Sequence, residues 1–298
     1  MTTPGARVLC FGEALFDELP SGRRAGGGPL NTAAHLAALG TVSALVTAVG
    51  DDDLGGDLVE IAAGLAVETD LIQRSGLPTG TVAVQFDARG EATYDIVAPV
   101  AWDDIRYPGA AHQSDRRPRH GRPEQALQTA AGLARAVTFH LLSARGDTTA
   151  AALRGVLAEA PRGIPRVGDF GLRAGHYEAE RIDWLLREAT VAKLNEGELT
   201  EIATLLGFEP TAEALARAYR LESVVVTQGA VGAYGVRLGE RYRVAAPRVE
   251  AVVDTVGCGD AFLAGYLHAR LEGLDEPGCL RVGCTRGAYA ATLRGALP

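Results

Sequence analysis

The feature that most constrains this chain is an alternation that runs for most of its length. Short, near-continuous apolar runs are separated by segments whose apolar residues return every three to four positions. "RVLCFG", "SALVTAVG", "AVTFHLL", "RVGDF", "TVAKLN", "SVVVTQG" and "VEAVVDT" read as strands. Between them, Pro29 opens a helix with Leu30, Ala33, Ala34 and Ala37 on one face and Gly40 as its stop, and Asp53 caps a helix over Leu54 to Leu65. Further helices are expected at "AAALRGVLAEA" and "RIDWLLREA". Strands that are apolar on both faces and alternate with helices specify a doubly wound, mostly parallel α/β sheet covered by helices on both sides.

One segment breaks the rhythm. "TGTVAVQFDARGEATYDIV" (79–97) alternates with a period of two around an Asp-Ala-Arg-Gly turn, which predicts an antiparallel hairpin with Val82, Val84 and Phe86 on one face. Such a hairpin is either an ordinary edge pair or a cover lying over a site. The stretch 106–122 is rich in Pro, Gly and Arg, poor in apolar residues, and reads as an exposed loop.

Bulk properties narrow the function. With 298 residues, 47% of them hydrophobic, the chain can bury a large core, read here as one domain over 1–298. A net charge of −8 argues against nucleic acid or acidic membranes as partners. No apolar run reaches the roughly 20 residues of a membrane span, and the first residues lack a signal peptide's pattern. Four cysteines without paired spacing, and scattered histidines, give neither a disulfide framework nor a zinc motif, so a reducing cytoplasm is expected.

The chemistry concentrates in the loops after the apolar runs, where open parallel sheets place their ligands. In "DTVGCGDAF", Gly257 and Gly259 let the backbone approach a ligand as a helix begins, and the free N–H groups of that first turn favour an anion. Asp260 is nevertheless a carboxylate at the same spot, an arrangement suited to chemistry on a phosphate. "GEALFDE" supplies Asp17, and "AGGGPLN" supplies Gly26, Gly27 and Asn31, equipment for gripping vicinal hydroxyls or, taken singly, a turn and a helix start. Asn195 and Glu198 stand three apart at a helix start, which suits a hydrated Mg²⁺ or plain capping. Gly229 and Gly232 in "VTQGAVGAYG" would admit a phosphate to the backbone, or simply turn the chain. Neither GxxxxGK[ST] nor a GxGxxG after the first strand is present.

Together these segments resemble the ribokinase-like (PfkB) family of carbohydrate kinases, almost end to end and in the same order. "AGGGPLNTAAHLAALG" and "DTVGCGDAF" are similar to its two signatures, and "DFGLR", "KLNEGEL" and "VTQGAVGA" to its DxNxR, KxNxxE and TxGxxG segments. "GEALFDELP" and "VAPVAWDDI" resemble the fructokinase-type branch. The resemblance implies an ATP-dependent sugar kinase with Asp260 as base on the attacking hydroxyl and the N–H groups of Gly257, Cys258 and Gly259 as anion hole. It implies Asp17, Gly26, Gly27, Asn31 and Arg173 at the sugar, and Lys193, Asn195, Glu198, Thr227, Gly229 and Gly232 around MgATP, with Glu198 reaching Mg²⁺ through water. Asp254 and Thr255 would hold a monovalent cation, typically potassium. Segments 13–25 and 79–102 would form a β lid, through which members can form homodimers. Fructose leads as substrate, with ribose, 2-keto-3-deoxygluconate or a nucleoside as alternatives, and a slow sugar- or nucleotide-binding regulator as another. Three positions depart from the pattern: Cys258 replaces the usual Ala, Gly171 the usual Asn, and His140-Leu141 the frequent Gly-Ser. Cys258 reads as a small residue filling the space of the usual Ala, or as a thiol that a helix N-terminus makes easier to ionise.

Overall fold

In the computed structural model, the described residues are 6–19, 22–86, 92–109 and 122–298. In chain order the strands are β1 (Val8–Phe11), β2 (Leu15–Leu19), β3 (Gly22–Gly26), β4 (Ser43–Val46), β5 (Ala48–Gly50), β6 (Gln73–Ser75), β7 (Gly80–Phe86), β8 (Ala92–Ile96), β9 (Ala136–His140), β10 (Arg166–Asp169), β11 (Val191–Asn195), β12 (Ser223–Thr227), β13 (Gly232–Arg237) and β14 (Glu240–Ala245). The helices are α1 (Gly28–Ala38), α2 (Asp53–Gly64), α3 (Arg122–Gly132), α4 (Asp147–Glu159), α5 (Ala179–Glu188), α6 (Glu196–Leu206), α7 (Ala212–Tyr219), α8 (Cys258–Leu271) and α9 (Glu276–Ala290).

Eight strands form the main sheet in the order β14-β13-β12-β11-β10-β9-β1-β4. From β4 to β12 every pairing is parallel, and β13 and β14 add on antiparallel at one edge. Alternate residues of each strand point to opposite faces. Leu9 and Phe11 of β1 therefore join Phe139, Leu194 and Val226 in one core, while Val8 and Cys10 join Val167, Val191 and Val225 in the other. Helices α3 to α7 close the first core and α1, α2, α8 and α9 the second.

Strand order reverses between β1, which continues to β4 on one side, and β9 on the other. At such a switch point the loops leave in opposite directions and open a crevice at the strands' carboxyl ends. Glu13 follows β1 there, and His140 ends β9.

A second sheet, β3-β2-β7-β8, stands apart from the first. The 79–97 segment contributes the antiparallel pair β7–β8, as its alternation predicts, and β2 joins β7 in parallel. The intervening Asp-Ala-Arg-Gly turn lies outside the described residues, as does most of the arginine-rich stretch. Beneath this sheet sits a small core of Leu15, Val82, Ile96, Val100, Trp102 and Leu142. Trp102 is buried, with the Arg145 guanidinium 3.8 Å from its ring.

Two expectations fail. "SALVTAVG" is two strands in different sheets, β4 against β1 and β5 against β6. "VEAVVDT" is not a strand: its residues 249–255 run as irregular chain, and Val252 and Val253 are 61% and 55% exposed. The apolar run faces a cleft rather than a sheet. The strands of that region are β13 and β14, joined by Leu238-Gly239, whose φ values of 51° and 86° are those of a tight hairpin.

Candidate active site

Two cavities meet at the carboxyl ends of the main sheet. One, of about 410 Å³, lies between the two sheets and is lined by residues from the loops after β1, β9, β10 and β11 together with the start of α8. The other, of about 570 Å³, lies between the β12–β13 connection, the 246–252 segment, α8 and α9. Thr227, Thr255 and Gly259 line both. The amino end of α8 is the wall between them.

Two glycines shape that wall for different reasons. Gly257 caps α8 with φ 75° and ψ −3°, a left-handed conformation that favours glycine. A Cβ there would also come within 2.4 Å of the Ala296 Cβ. At Gly259 the constraint is a neighbour: a Cβ would stand 2.9 Å from Lys193 Nζ. The Cys258 N–H, expected in the anion hole, instead donates to the Thr255 carbonyl at 3.3 Å, which leaves the N–H groups of Gly257 and Gly259 beside a buried ammonium, two sources of positive potential in one place.

Asp260 follows in the first turn and accepts from Asn31 Nδ2 at 2.8 Å, tying α8 to the first turn of α1 across 229 residues of sequence. Burial and the nearby Asp169 push the Asp260 carboxyl up, against the opposing pull of His140, Lys193 and Asn31. Asp169, at the end of β10, is buried as well. There burial works against the charge, but Lys193 Nζ donates to Oδ2 at 2.8 Å, and the net shift is downward. Lys193 is itself held in its charged form by Asp169 and Asp260 despite its burial.

Glu13 is 4% exposed, accepting from Ser143 Oγ at 2.5 Å and from the Gly28 N–H at 3.2 Å. His140 stands beside it with Nδ1 3.8 Å from Glu13 Oε1. The sequence reading singles out none of Glu13, Asp169 and Ser143 as a site residue, although "GEALFDE" and "DFGLR" contain the first two. The first two follow apolar runs directly, a position that marks the crevice once strand order is known.

The predicted residues divide as follows. Asp17, Gly27, Asn31, Arg173, Lys193, Asn195, Glu198, Gly257, Gly259 and Asp260 line the first cavity, and Gly229, Gly232 and Cys258 the second. Gly26 lines neither: it pairs with Leu15 in the second sheet, where its bare backbone leaves room for Asp17, a Cβ there falling 2.9 Å from Oδ2. Burial pushes the Asp17 carboxyl up to about 6 although Arg173 and Arg24 oppose it. Asn195 and Glu198 form a reciprocal capping box, Asn195 Oδ1 accepting from the Glu198 N–H and Glu198 Oε2 from the Asn195 N–H. Burial and Asp169 push the Glu198 carboxyl up, so a cation beside it would be stabilising.

Asp254 lines neither cavity and is already engaged: Oδ1 accepts from the Val256 N–H, and Oδ2 from the Gly295 N–H at 3.1 Å and from Arg24 at 3.5 Å. At Gly171, a Cβ would lie 3.7 to 3.9 Å from Arg173, Asp169 and Glu198, so the missing side chain leaves open space among three charged groups. The Cys258 thiol is pushed up by burial and by Asp254 and Asp260, contrary to the expectation of an easily ionised thiol. The local carboxylates outweigh the helix end.

Comparison with known proteins gives the family and the fold. The profile of the family described as "pfkB family carbohydrate kinase" matches residues 21–298. A fructokinase of Klebsiella pneumoniae is 29% identical over 98% of this chain and 95% of its own length. Among solved structures, a fructokinase from Xylella fastidiosa with bound ATP superposes with a TM-score of 0.81 at 24% identity, covering 98% of this chain and 95% of that one. A fructokinase from Vibrio cholerae O395, in a fructose-, ADP- and calcium-bound form, gives 0.80 at 22% identity, with 99% and 96% covered. At these identities the structural likeness is one of fold.

Proposed function

The chain belongs to the pfkB family of carbohydrate kinases, and from that premise we propose that it transfers the γ-phosphate of ATP to a hydroxyl of a neutral sugar, with fructose the leading substrate. The observation that carries this reading is the shared wall. A carboxylate at the start of α8 faces one cavity, while Gly259 of the same turn, with its bare backbone, lines both that cavity and the next. An acceptor in the first cavity and a nucleotide in the second would meet at Gly259.

In this reading Asp260 takes the proton of the attacking hydroxyl. Asn31 fixes the carboxylate by occupying Oδ2 and leaves Oδ1 for the substrate. The transition state of phosphoryl transfer is loose, with charge spread over the equatorial oxygens, so positioning and charge stabilisation do most of the work. The amino end of α8 supplies donors that need no reorganisation, and Lys193 supplies a fixed positive charge. Asp17 grips the sugar from the second sheet and Arg173 from the loop after β10, and the second sheet would exclude water as a lid over the acceptor.

The uncommitted Glu198 oxygen fits a hydrated Mg²⁺, with Asn195 beside it; when bound, the ion would neutralise phosphate charge. A potassium ion at Asp254 and Thr255 would have to displace the Arg24 guanidinium from Asp254 Oδ2.

The test is ADP release with MgATP against fructose, ribose, tagatose, 2-keto-3-deoxygluconate and adenosine. Turnover with a neutral sugar, lost in Asp260→Asn, is the expected result. A protein that binds ATP but phosphorylates none of them would overturn the reading.

A further inference from the structure

His140 stands where the resemblance leads one to expect a glycine, and the cavity is built around its ring. The residue ends β9 at the switch point and is 8% exposed. A Cβ on Gly28 would lie 2.1 Å from His140 Cε1 and 2.3 Å from Nδ1, so the imidazole occupies the space that Gly28 leaves. Nδ1 faces Glu13 Oε1 at 3.8 Å, and Glu13 is locked by Ser143 and by the Gly28 N–H. On the other side of the ring, Nε2 is buried and has no hydrogen-bond partner among the described residues. Asn31 Oδ1 is likewise buried and unpartnered. One ring nitrogen and one oxygen each of Asp169 and Asp260 lie within 4.8 Å of one another.

Buried polar atoms are rarely left unpaired, because each costs the desolvation of an unmade hydrogen bond. Two such atoms flank Asp260 inside a cavity, and the cavity's contents are what would pair them. The surroundings restrict what those contents are. Glu13, Asp169 and Asp260 are carboxyl groups, and the Lys193 ammonium between the latter two is already bonded to Asp169. Beside the His140 ring, where Asp169 and Asp260 each place an oxygen within 4.8 Å, an anionic group would meet like charge. A metal ion held by His140, Asp169 and Asp260 would have to displace that ammonium. A neutral hydroxyl meets neither obstacle.

Resting on the sugar-kinase reading above, we propose that His140 is a specificity-determining residue: its Nε2 accepts a hydrogen bond from an acceptor hydroxyl other than the one phosphorylated. The site would therefore select a neutral polyhydroxyl substrate over a sugar acid and over an analogue lacking that hydroxyl. A proton on Nδ1, directed toward Glu13, leaves Nε2 as the acceptor nitrogen of the ring. Glu13, Ser143 and Gly28 are then positioning residues that hold the ring. A site built to hydrogen-bond a hydroxyl discriminates strongly against its absence, because the protein partner is then buried unpaired.

The experiment is a cycle between protein and substrate. The full chain, His140→Leu and His140→Gln are assayed with MgATP against fructose, ribose and tagatose and the monodeoxy analogues of each, with melting temperature as a folding control. In the unaltered protein, one non-reacting deoxygenation should lower kcat/KM at least about 100-fold. In His140→Leu the parent sugar should lose a similar factor, and the same deoxygenation should then cost less than about 5-fold. His140→Gln, whose amide oxygen still accepts, should recover part of both. Penalties that stay the same in His140→Leu, or in His140→Gln should the leucine variant fail to fold, would overturn the role of His140 while leaving the kinase reading intact. Phosphorylation of 2-keto-3-deoxygluconate in preference to the neutral sugars would overturn the selectivity. An unaltered protein that turns over no sugar would sink the kinase reading itself, and this inference with it.

Discussion

The two cavities on either side of α8 differ in what their walls are made of. On the acceptor side the lining includes Glu13, Asp17, Asp169, Lys193, Glu198 and Asp260, several of them locked in mutual contacts. In the second cavity, the one proposed for the nucleotide, the lining is mostly glycine, alanine, valine and proline with Phe262, and Arg248 is its only charged member among the described residues. A cavity of the first kind recognises a ligand by hydrogen bonds, and each mismatch leaves a buried group unpaired. A cavity of the second kind recognises a flat apolar ring by shape, and tolerates small changes in its wall. The first should therefore be brittle and the second forgiving.

Asp260→Asn should separate them most sharply. Turnover should fall about 1,000-fold or more, while ATP affinity by calorimetry changes less than about twofold. An equal loss of both would break the distinction.

Lys193→Met leaves Asp169 buried without its cation, and removing one partner of a buried pair costs roughly 3 kcal/mol or more. Denaturant unfolding should register that loss, whereas a Val249→Ala change on the other side should cost under about 1 kcal/mol. Gly257→Ala lies on the shared wall. Its left-handed backbone and the Ala296 contact predict about 2 kcal/mol of strain, seen as a lower melting temperature with nucleotide and sugar binding both weakened.

The pH dependence sharpens the comparison further. Burial pushes the Asp17 carboxyl up to about 6, and its ionised form accepts from sugar hydroxyls at both oxygens, whereas protonation turns one of them into a donor. Below that pH Asp17 takes up a proton, so KM for the sugar should rise, approaching tenfold per pH unit. KM for ATP should stay flat across the same range. Turnover at saturating sugar should fall at lower pH as Asp260 protonates, beginning above the ordinary aspartate range because burial and Asp169 raise that group. The smallest effect belongs to Cys258→Ala, which should alter turnover less than twofold. Peroxide should leave activity intact, since the thiol is held protonated.

What the sequence made legible follows the same divide. The apolar strands, the hairpin and the helix starts are local patterns, and Asp260, Gly257 and Gly259 announce themselves by sitting between a strand-like run and a helix. Glu13 and Ser143 do not, since only the adjacency of β1 and β9 brings them together across 130 residues. The misreading of 249–255 has a physical origin too. Val249 and Val252 are apolar because they face a cleft, and a one-dimensional pattern does not distinguish a cleft wall from a core. β13 and β14 escaped notice because their turn places Leu238, not glycine or asparagine, at a positive φ.

The contact between Gly257 and Ala296 also has a consequence for the order of synthesis. The carbonyl of Ala296 is held by His35 Nε2 on α1, a histidine that burial and Arg286 keep neutral with a pKa near 4. Residues from the first turns of the chain and from its last turns therefore close on the same loop. A ribosome that has released the acceptor-side residues, and even Asp260 itself, has not yet produced the surface against which Gly257 takes its shape. The amino end of α8 gains its Ala296 neighbour only after residue 296 has been made, so a nascent chain carries the residues of the site before it carries their packing.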